Sequence, residues 1–102
     1  MKLYVDDIRN TPNGFNRAYS VNQAIAMMTA NNVQEISLDH DMGDFANDGG
    51  DVIKLVYWMI QNSIFPPVVH FHTSNPVGLN NMKSALMRYG NYANYGNTII
   101  LR

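Results

Sequence analysis

Apolar residues recur in short blocks along the chain, and their spacing changes from block to block. Lys2 to Val5 is a β-prone run that stops at Asp6-Asp7. Ile8 to Gly14 breaks the pattern, because Asn10, Thr11, Pro12 and Asn13-Gly14 are turn formers. Phe15 to Tyr19 predicts a second short strand. Ser20 has the character of an N-cap, with Gln23 completing a capping box. Val21, Ile25 and Met28 form the apolar stripe of a helix that ends at Asn31-Asn32. Glu35 to Leu38 predicts a strand running into Asp39-His40-Asp41, and a Gly- and Asp-rich loop follows to Gly50. Val52, Leu55, Val56, Met59 and Ile60 have helical spacing, stopped by Pro66-Pro67. Val68 to His72 predicts another strand. Asn75 as N-cap and Pro76 at the first helical position open a helix carrying Leu79, Met82, Leu86 and Tyr89. Gly90 to Asn97 reads as polar loop, and Thr98 to Leu101 as a last strand.

Alternation of strands and helices implies a parallel sheet with helices against it. Val68-Val69 and Ile99 to Leu101 are the near-continuous apolar runs of buried parallel strands. The expected fold is α/β: a flavodoxin-like open parallel sheet of five strands, helices on both faces, and a loop in place of the first helix. Residues 1–102 form one domain, with no linker. At 46% hydrophobic and 15% charged, the composition supports a core without staples. Tyr89, Tyr92 and Tyr95 are either loop and helix-end packing or a ring-stacking surface for a base.

Composition narrows the chemistry. There are no cysteines, which excludes disulfides, zinc–thiolate sites and thiol nucleophiles. A net charge of −1 gives no basic field for nucleic acid. The apolar stretch Val52 to Ile60 contains Lys54 and is too short to span a bilayer, and the N-terminus lacks signal-peptide shape. A cytoplasmic domain is expected. Nothing in the pattern specifies an oligomeric state.

Seven of the eight acids are Asp, set against a single Glu35. They fall at Asp6-Asp7 and between Asp39 and Asp51. In an open parallel sheet, ligands bind beyond the carboxyl ends of the strands. Asp6-Asp7, Asp39-His40-Asp41 and His72-Thr73-Ser74-Asn75 all follow strands, so the topology gathers them at one edge. Carboxylates ~5 Å apart repel by roughly 3 kcal/mol per pair at an effective dielectric near 20. They must share protons or hold a cation. Hard oxygen donors select Mg²⁺ or Mn²⁺, with Asp6, Asp7, Asp39 and Asp41 as candidate ligands. Arg9, Thr73, Ser74 and Asn75 are candidate phosphate-binding residues, beside the free N–H groups of a helix start. Asp44, Asp48 and Asp51 read as loop and helix-start residues, His70 as a core histidine, and Arg17, Arg88 and Arg102 as surface charges.

These positions resemble the receiver fold of two-component signalling: the acidic pair Asp6-Asp7, Asp39 with Met42 three residues on, and Thr73 at a strand end. Gly43 stands where such domains carry Pro, and the Lys after the last strand is absent. VDDIRNTP (Val5 to Pro12), LDHDMG (Leu38 to Gly43), the helix led by Gly50 and HTSNPVGLNNM (His72 to Met82) resemble more closely the cyclic-phosphate processing receiver domain family. That resemblance implies processing of a cyclic phosphate on a nucleotide or RNA end, in phage or prokaryotic conflict systems. The expected chemistry is a metal-dependent phosphodiesterase. Asp39 and Arg9 act at the phosphate, and His72 or His40 serves as general acid. Two alternatives stay open: a module that binds a cyclic nucleotide without cutting it, and a receiver phosphorylated at Asp39. A two-histidine phosphoesterase is excluded, because only His72-Thr73-Ser74 resembles its repeated H-x-[ST] element.

Overall fold

A computed structural model describes all residues, Met1 to Arg102. Six strands and three helices follow one another as β1 (Lys2–Val5), β2 (Asn16–Ala18), α1 (Val21–Ala30), β3 (Glu35–Leu38), α2 (Ile53–Gln61), β4 (Val68–Phe71), α3 (Pro76–Tyr89), β5 (Tyr92–Asn94) and β6 (Thr98–Leu101). A 3-10 turn, Gly43–Asn47, lies between β3 and α2. The loop Asp6 to Phe15 replaces a first helix, as expected.

The strand order is β2-β1-β3-β4-β6-β5. The first four strands are parallel. The expectation of five parallel strands is corrected at the C-terminal edge. β6 pairs antiparallel with β4, and a sixth strand, β5, pairs antiparallel with β6. β5 runs in the direction a fifth parallel strand would take, and the hairpin folds β6 back between β5 and β4. Its turn, Tyr95–Asn97, places Gly96 at φ +87°, and Asn94 Oδ1 accepts from the Gly96 N–H at 2.9 Å. Gly at a left-handed position of a three-residue hairpin loop is favoured. The Gly, Asn and Tyr residues around β5 give it the pattern of a polar loop. Tyr92 forms it by turning its ring into the core, with its hydroxyl donating to the Pro66 carbonyl at 2.7 Å.

The expectation of helices on both faces is also corrected. Leu3, Val5, Ile36, Leu38, Val69, Phe71 and Ile99 alternate along the strands and join Val21, Ala24, Leu55, Val56, Met59, Met82 and Leu86 in one core cluster. The helices pack in series, α1 on α2 and α2 on α3, over that single face. The opposite face carries Lys2, Tyr4, Glu35, Ser37, His70, Thr98 and Ile100, set side by side by the register. No helix covers it, and Lys2 and Ile100 are exposed.

Local signals explain the helix starts. Ser20 caps α1 by accepting from the Gln23 N–H at 3.1 Å, and Asn75 caps α3 by accepting from the Gly78 N–H at 3.0 Å, with Pro76 at N1. Asp48 fastens the loop before α2 to the start of α1. It accepts from the Ser20 hydroxyl at 2.6 Å and from Asn22 Nδ2 at 3.0 Å.

The one-sided core has a direct check. Ile36→Ala removes a fully buried side chain and is expected to cost about 2–5 kcal/mol. Ile100→Ala, on the uncovered face, should stay within about 0.5 kcal/mol of wild type. Urea denaturation reads both; equal losses would show that the second face is packed as well.

Candidate functional site

The parallel register builds the site. Val5, Leu38 and Phe71 are aligned neighbours at the ends of β1, β3 and β4. The next residue on each strand is therefore Asp6, Asp39 or His72. The ladder continues through them, with the Asp39 N–H donating to Val5 O and the His72 N–H to Leu38 O, both at 3.0 Å. Strand alternation points their side chains to the uncovered side, because the residues before them face the core. Asp6, Asp39 and His72 offer atoms that all lie within 4.8 Å of one another.

Asp6 is fully buried, and four donors reach its carboxylate. Oδ1 accepts from the N–H groups of Ile8 at 2.9 Å and Arg9 at 3.0 Å. Oδ2 accepts from Arg9 Nη1 at 3.2 Å and faces His72 Nε2 at 2.8 Å. Burial alone would raise the pKa, but these four bonds outweigh it and hold the carboxyl at about 2, down from 3.8. Arg9 Nη1 is also 3.2 Å from Asp39 Oδ2, so one nitrogen bridges the two acids. Asp39 Oδ1 accepts from the His40 N–H at 2.8 Å.

His72 is held on both ring nitrogens and one ring face. Nδ1 lies 2.7 Å from Ser37 Oγ, and the ring stacks on Tyr4 with centroids 4.4 Å apart and planes 5° from parallel. Burial pushes its pKa down, partly opposed by Asp6 and Asp39, so the ring is neutral near pH 7. Ionised Asp6 then accepts from Nε2–H, and Nδ1 accepts from the Ser37 hydroxyl.

Asp7 lies next to this group without a basic partner. Burial and the charges of Asp6 and Asp39 raise its pKa against a bond from its own backbone. Gly43 makes room for it. Its φ is +53°, and a Cβ there would stand 2.7 Å from Asp7 Oδ2.

Asp41 does not join them. It turns toward the start of α3, accepting from Asn75 Nδ2 at 3.3 Å on each oxygen and meeting His40 Nδ1 at 2.9 Å. His40, Asp41 and Asp51 form a separate group. The His40 bond, ahead of the opposing burial, lowers the Asp41 pKa. Asn75 is occupied as cap and as donor to Asp41, and Thr73 Oγ1 accepts from the Asn75 N–H at 3.1 Å. Ser74 is exposed and makes no side-chain bond. The tyrosines form no common ring surface, since Tyr92 is buried whereas Tyr89 and Tyr95 are exposed.

Three participants were not legible in the sequence. Arg17, expected at the surface, fastens the loop that carries Asp7 and Arg9: Nε donates to Asp6 O at 2.7 Å, and Nη1 to Arg9 O and to Thr11 Oγ1. Ser37 and Tyr4 position His72. Their one signal is the two-residue alternation that puts them below Asp39 and Asp6. His70, expected in the core, lies on the uncovered face between Glu35 and Thr98, 2.8 Å from each. A cleft of about 280 Å³ at the opposite end of the sheet, lined by Met28, Val33, Phe65 and Pro66 among others, has no titratable group.

A parallel sheet whose strand ends bring together an acidic pair, a third Asp and a hydroxyl residue defines a receiver-like domain. This chain belongs to the cyclic-phosphate processing receiver domain family, whose model matches residues 1–88. The match ends inside α3, so the β5–β6 hairpin lies outside it. No curated protein and no solved structure matches the chain. No helix is long and apolar enough to cross a membrane.

Two outcomes follow from this geometry. The folded pKa of Asp6 lies below its unfolded value, so its contribution to stability is complete above about pH 4 and is lost as the pH falls toward 2. Denaturation between pH 2 and 6 should show that loss in wild type and a flatter profile in Asp6→Asn. Gly78 sits under the His40 ring, where a Cβ would approach within 2.5 Å. Gly78→Ala should therefore destabilise by about 1–3 kcal/mol and shift the His40 ring resonances in NMR. Unchanged resonances would disprove the contact.

Proposed function

We propose that the domain is a metal-dependent phosphoesterase-type enzyme that processes a cyclic phosphate on a nucleotide or RNA end. The observation that carries this reading is the aligned Asp6–Asp39–His72 row bridged by Arg9. It sets anionic and cationic groups side by side at an open sheet edge, within a chain of the cyclic-phosphate processing family.

The donor set suits a hard divalent cation, though with fewer ligands than the sequence suggests. Asp6 already takes four hydrogen bonds, about the capacity of a carboxylate. Asp41 is turned to Asn75. Asp7 and the remaining capacity of Asp39 would hold Mg²⁺ or Mn²⁺, which is commonly bound by one or two carboxylates and a substrate phosphate. Such an ion supplies charge neutralisation and a bound water of lowered pKa.

The chain's own groups do the rest. Arg9 uses Nη1 on the acids, and its Nε and Nη2 hydrogens, which make no bond within the chain, are a planar pair of donors suited to phosphate oxygens. The Ser74 hydroxyl and the Thr73 O–H remain able to donate to the same anion. Of the two site histidines, His40 keeps Nε2 without a partner, whereas His72 is engaged at both nitrogens. His40, with Nδ1–H held by Asp41, would in its imidazolium form carry a second hydrogen on Nε2 and give that proton to the departing alkoxide, returning to the neutral ring. His72 is a positioning residue for Asp6.

A second reading, a module that binds the ligand and leaves it intact, is favoured by Ile8 and Val77. These apolar residues are 81% and 68% exposed on the two segments bordering the site. Incubation with 2′,3′- and 3′,5′-cyclic nucleotides, cyclic dinucleotides and cyclic-phosphate-ended RNA, with Mn²⁺, Mg²⁺ or EDTA, separates the readings. A linear product that needs the metal and falls at least about 100-fold in Asp39→Asn and His40→Ala is expected. An unaltered ligand retained after desalting would select the binding module instead.

A further inference from the structure

Two carboxylates and a histidine whose atoms lie within 4.8 Å of one another can hold a metal ion. Here the place is filled. Arg9 Nη1 stands 3.2 Å from Asp6 Oδ2 and 3.2 Å from Asp39 Oδ2, so a cationic nitrogen already lies between the two acids. The loop itself delivers that nitrogen. Asp6 Oδ1 accepts the N–H groups of Ile8 and Arg9, which turns the chain back, and Arg17 fastens the turn through Asp6 O and Arg9 O. The guanidinium therefore reaches the acids from a backbone that the same acid organises.

Charge counting gives the consequence. Asp6, Asp7 and Asp39 carry three negative charges, and Arg9 carries one positive. Two negative charges remain, the complement of a single divalent ion. Asp7, the acid without a basic partner, marks where that ion has an oxygen to meet.

We propose that Arg9 is a resident cation of this site, taking the place between Asp6 and Asp39 that a divalent ion would otherwise occupy. The domain then uses one metal ion from solution rather than two. Its second cation is a side chain with five donors in a fixed fork: Nη1 is anchored on the acids, and the Nε and Nη2 hydrogens make no bond within the chain. The side chain is 40% exposed, and these unbonded hydrogens are its free donors for a phosphate. Lys would supply the charge without the fork. This inference rests on the phosphoesterase reading for its purpose but not for its test, which reads ion binding alone.

The experiment titrates Mn²⁺ into wild type, Arg9→Gln and Arg9→Lys by calorimetry, with no substrate present. Wild type is expected to take one ion weakly. Arg9→Gln empties the Asp6–Asp39–His72 pocket, and its Mn²⁺ affinity should rise at least about tenfold, or a second ion should appear. Arg9→Lys should behave as wild type. Loss of Arg9 leaves two buried carboxylates facing each other, so Arg9→Gln is also melted with and without Mn²⁺. A lowered Tm restored by the ion supports the proposal, and a chain that stays unfolded with Mn²⁺ overturns it. Equal Mn²⁺ binding by wild type and Arg9→Gln overturns the proposal and leaves the phosphoesterase reading standing. If neither protein binds Mn²⁺, both the resident-cation role and the metal requirement fall. Metal-dependent turnover is measured separately, so its absence bears only on the proposed activity.

Discussion

Everything at the strand ends depends on the carboxylate of Asp6. It is wholly buried, and a buried anion costs several kcal/mol unless its lone pairs are filled. Four donors fill them: two backbone N–H groups, a guanidinium and an imidazole. Each donor is thereby fixed as well. The backbone pair shapes the loop that replaces a helix, Arg9 is drawn across to Asp39, and His72 is set in one tautomer between Asp6 and Ser37. A single desolvated charge thus organises a loop, two strand ends and a ring.

The site has two halves of different character. One half is the Asp6–Asp39–His72 row with Arg9, set by sheet register. The other is the His40–Asp41–Asn75 group, which docks the loop after β3 onto the start of α3 through the close approach of His40 to Gly78. The first half concentrates charge, and the second leaves an imidazole nitrogen unpartnered. The proposed phosphoesterase activity would need both properties, a neutralised phosphate and a positioned proton donor. Asp39 and His40 are consecutive residues, so the two halves meet at the end of one strand.

The uncovered sheet face distinguishes this domain from a sheet sandwiched between helices. With a loop after β1 and a hairpin after α3, no helix lies over this face; side chains cover part of it, Phe15, Arg17 and His72 packing on the buried Tyr4 ring. That face is polar and paired internally: His70 between Glu35 and Thr98, His72 between Asp6 and Ser37. Side-chain pairs between neighbouring strands stabilise a sheet face that no helix covers. The chain therefore needs no second helical layer to be stable.

Much of this was legible in the sequence. Alternating apolar blocks located β1, β3, β4 and all three helices, because each buries one face against a common core and so has to repeat at the matching period. Ser20, Asn75 and Pro76 announced the helix starts through local backbone chemistry. The rule that ligands meet parallel strand ends brings Asp6, Asp39 and His72 to one edge, since β1 and β3 end where the apolar pattern ends and β4 only one residue before the expected His72. Three things only the tertiary structure decided. β5 exists because Tyr92 finds a pocket beside Pro66, a contact across 26 residues that no local pattern encodes. The antiparallel β6 follows from that hairpin. The division of labour among the acids is equally non-local. Asp6, Asp7 and Asp41 look alike in sequence, yet burial with four donors, crowding against Gly43 and a partner on α3 give them different environments. Composition determines how many charges must be satisfied; only packing decides which of them already are.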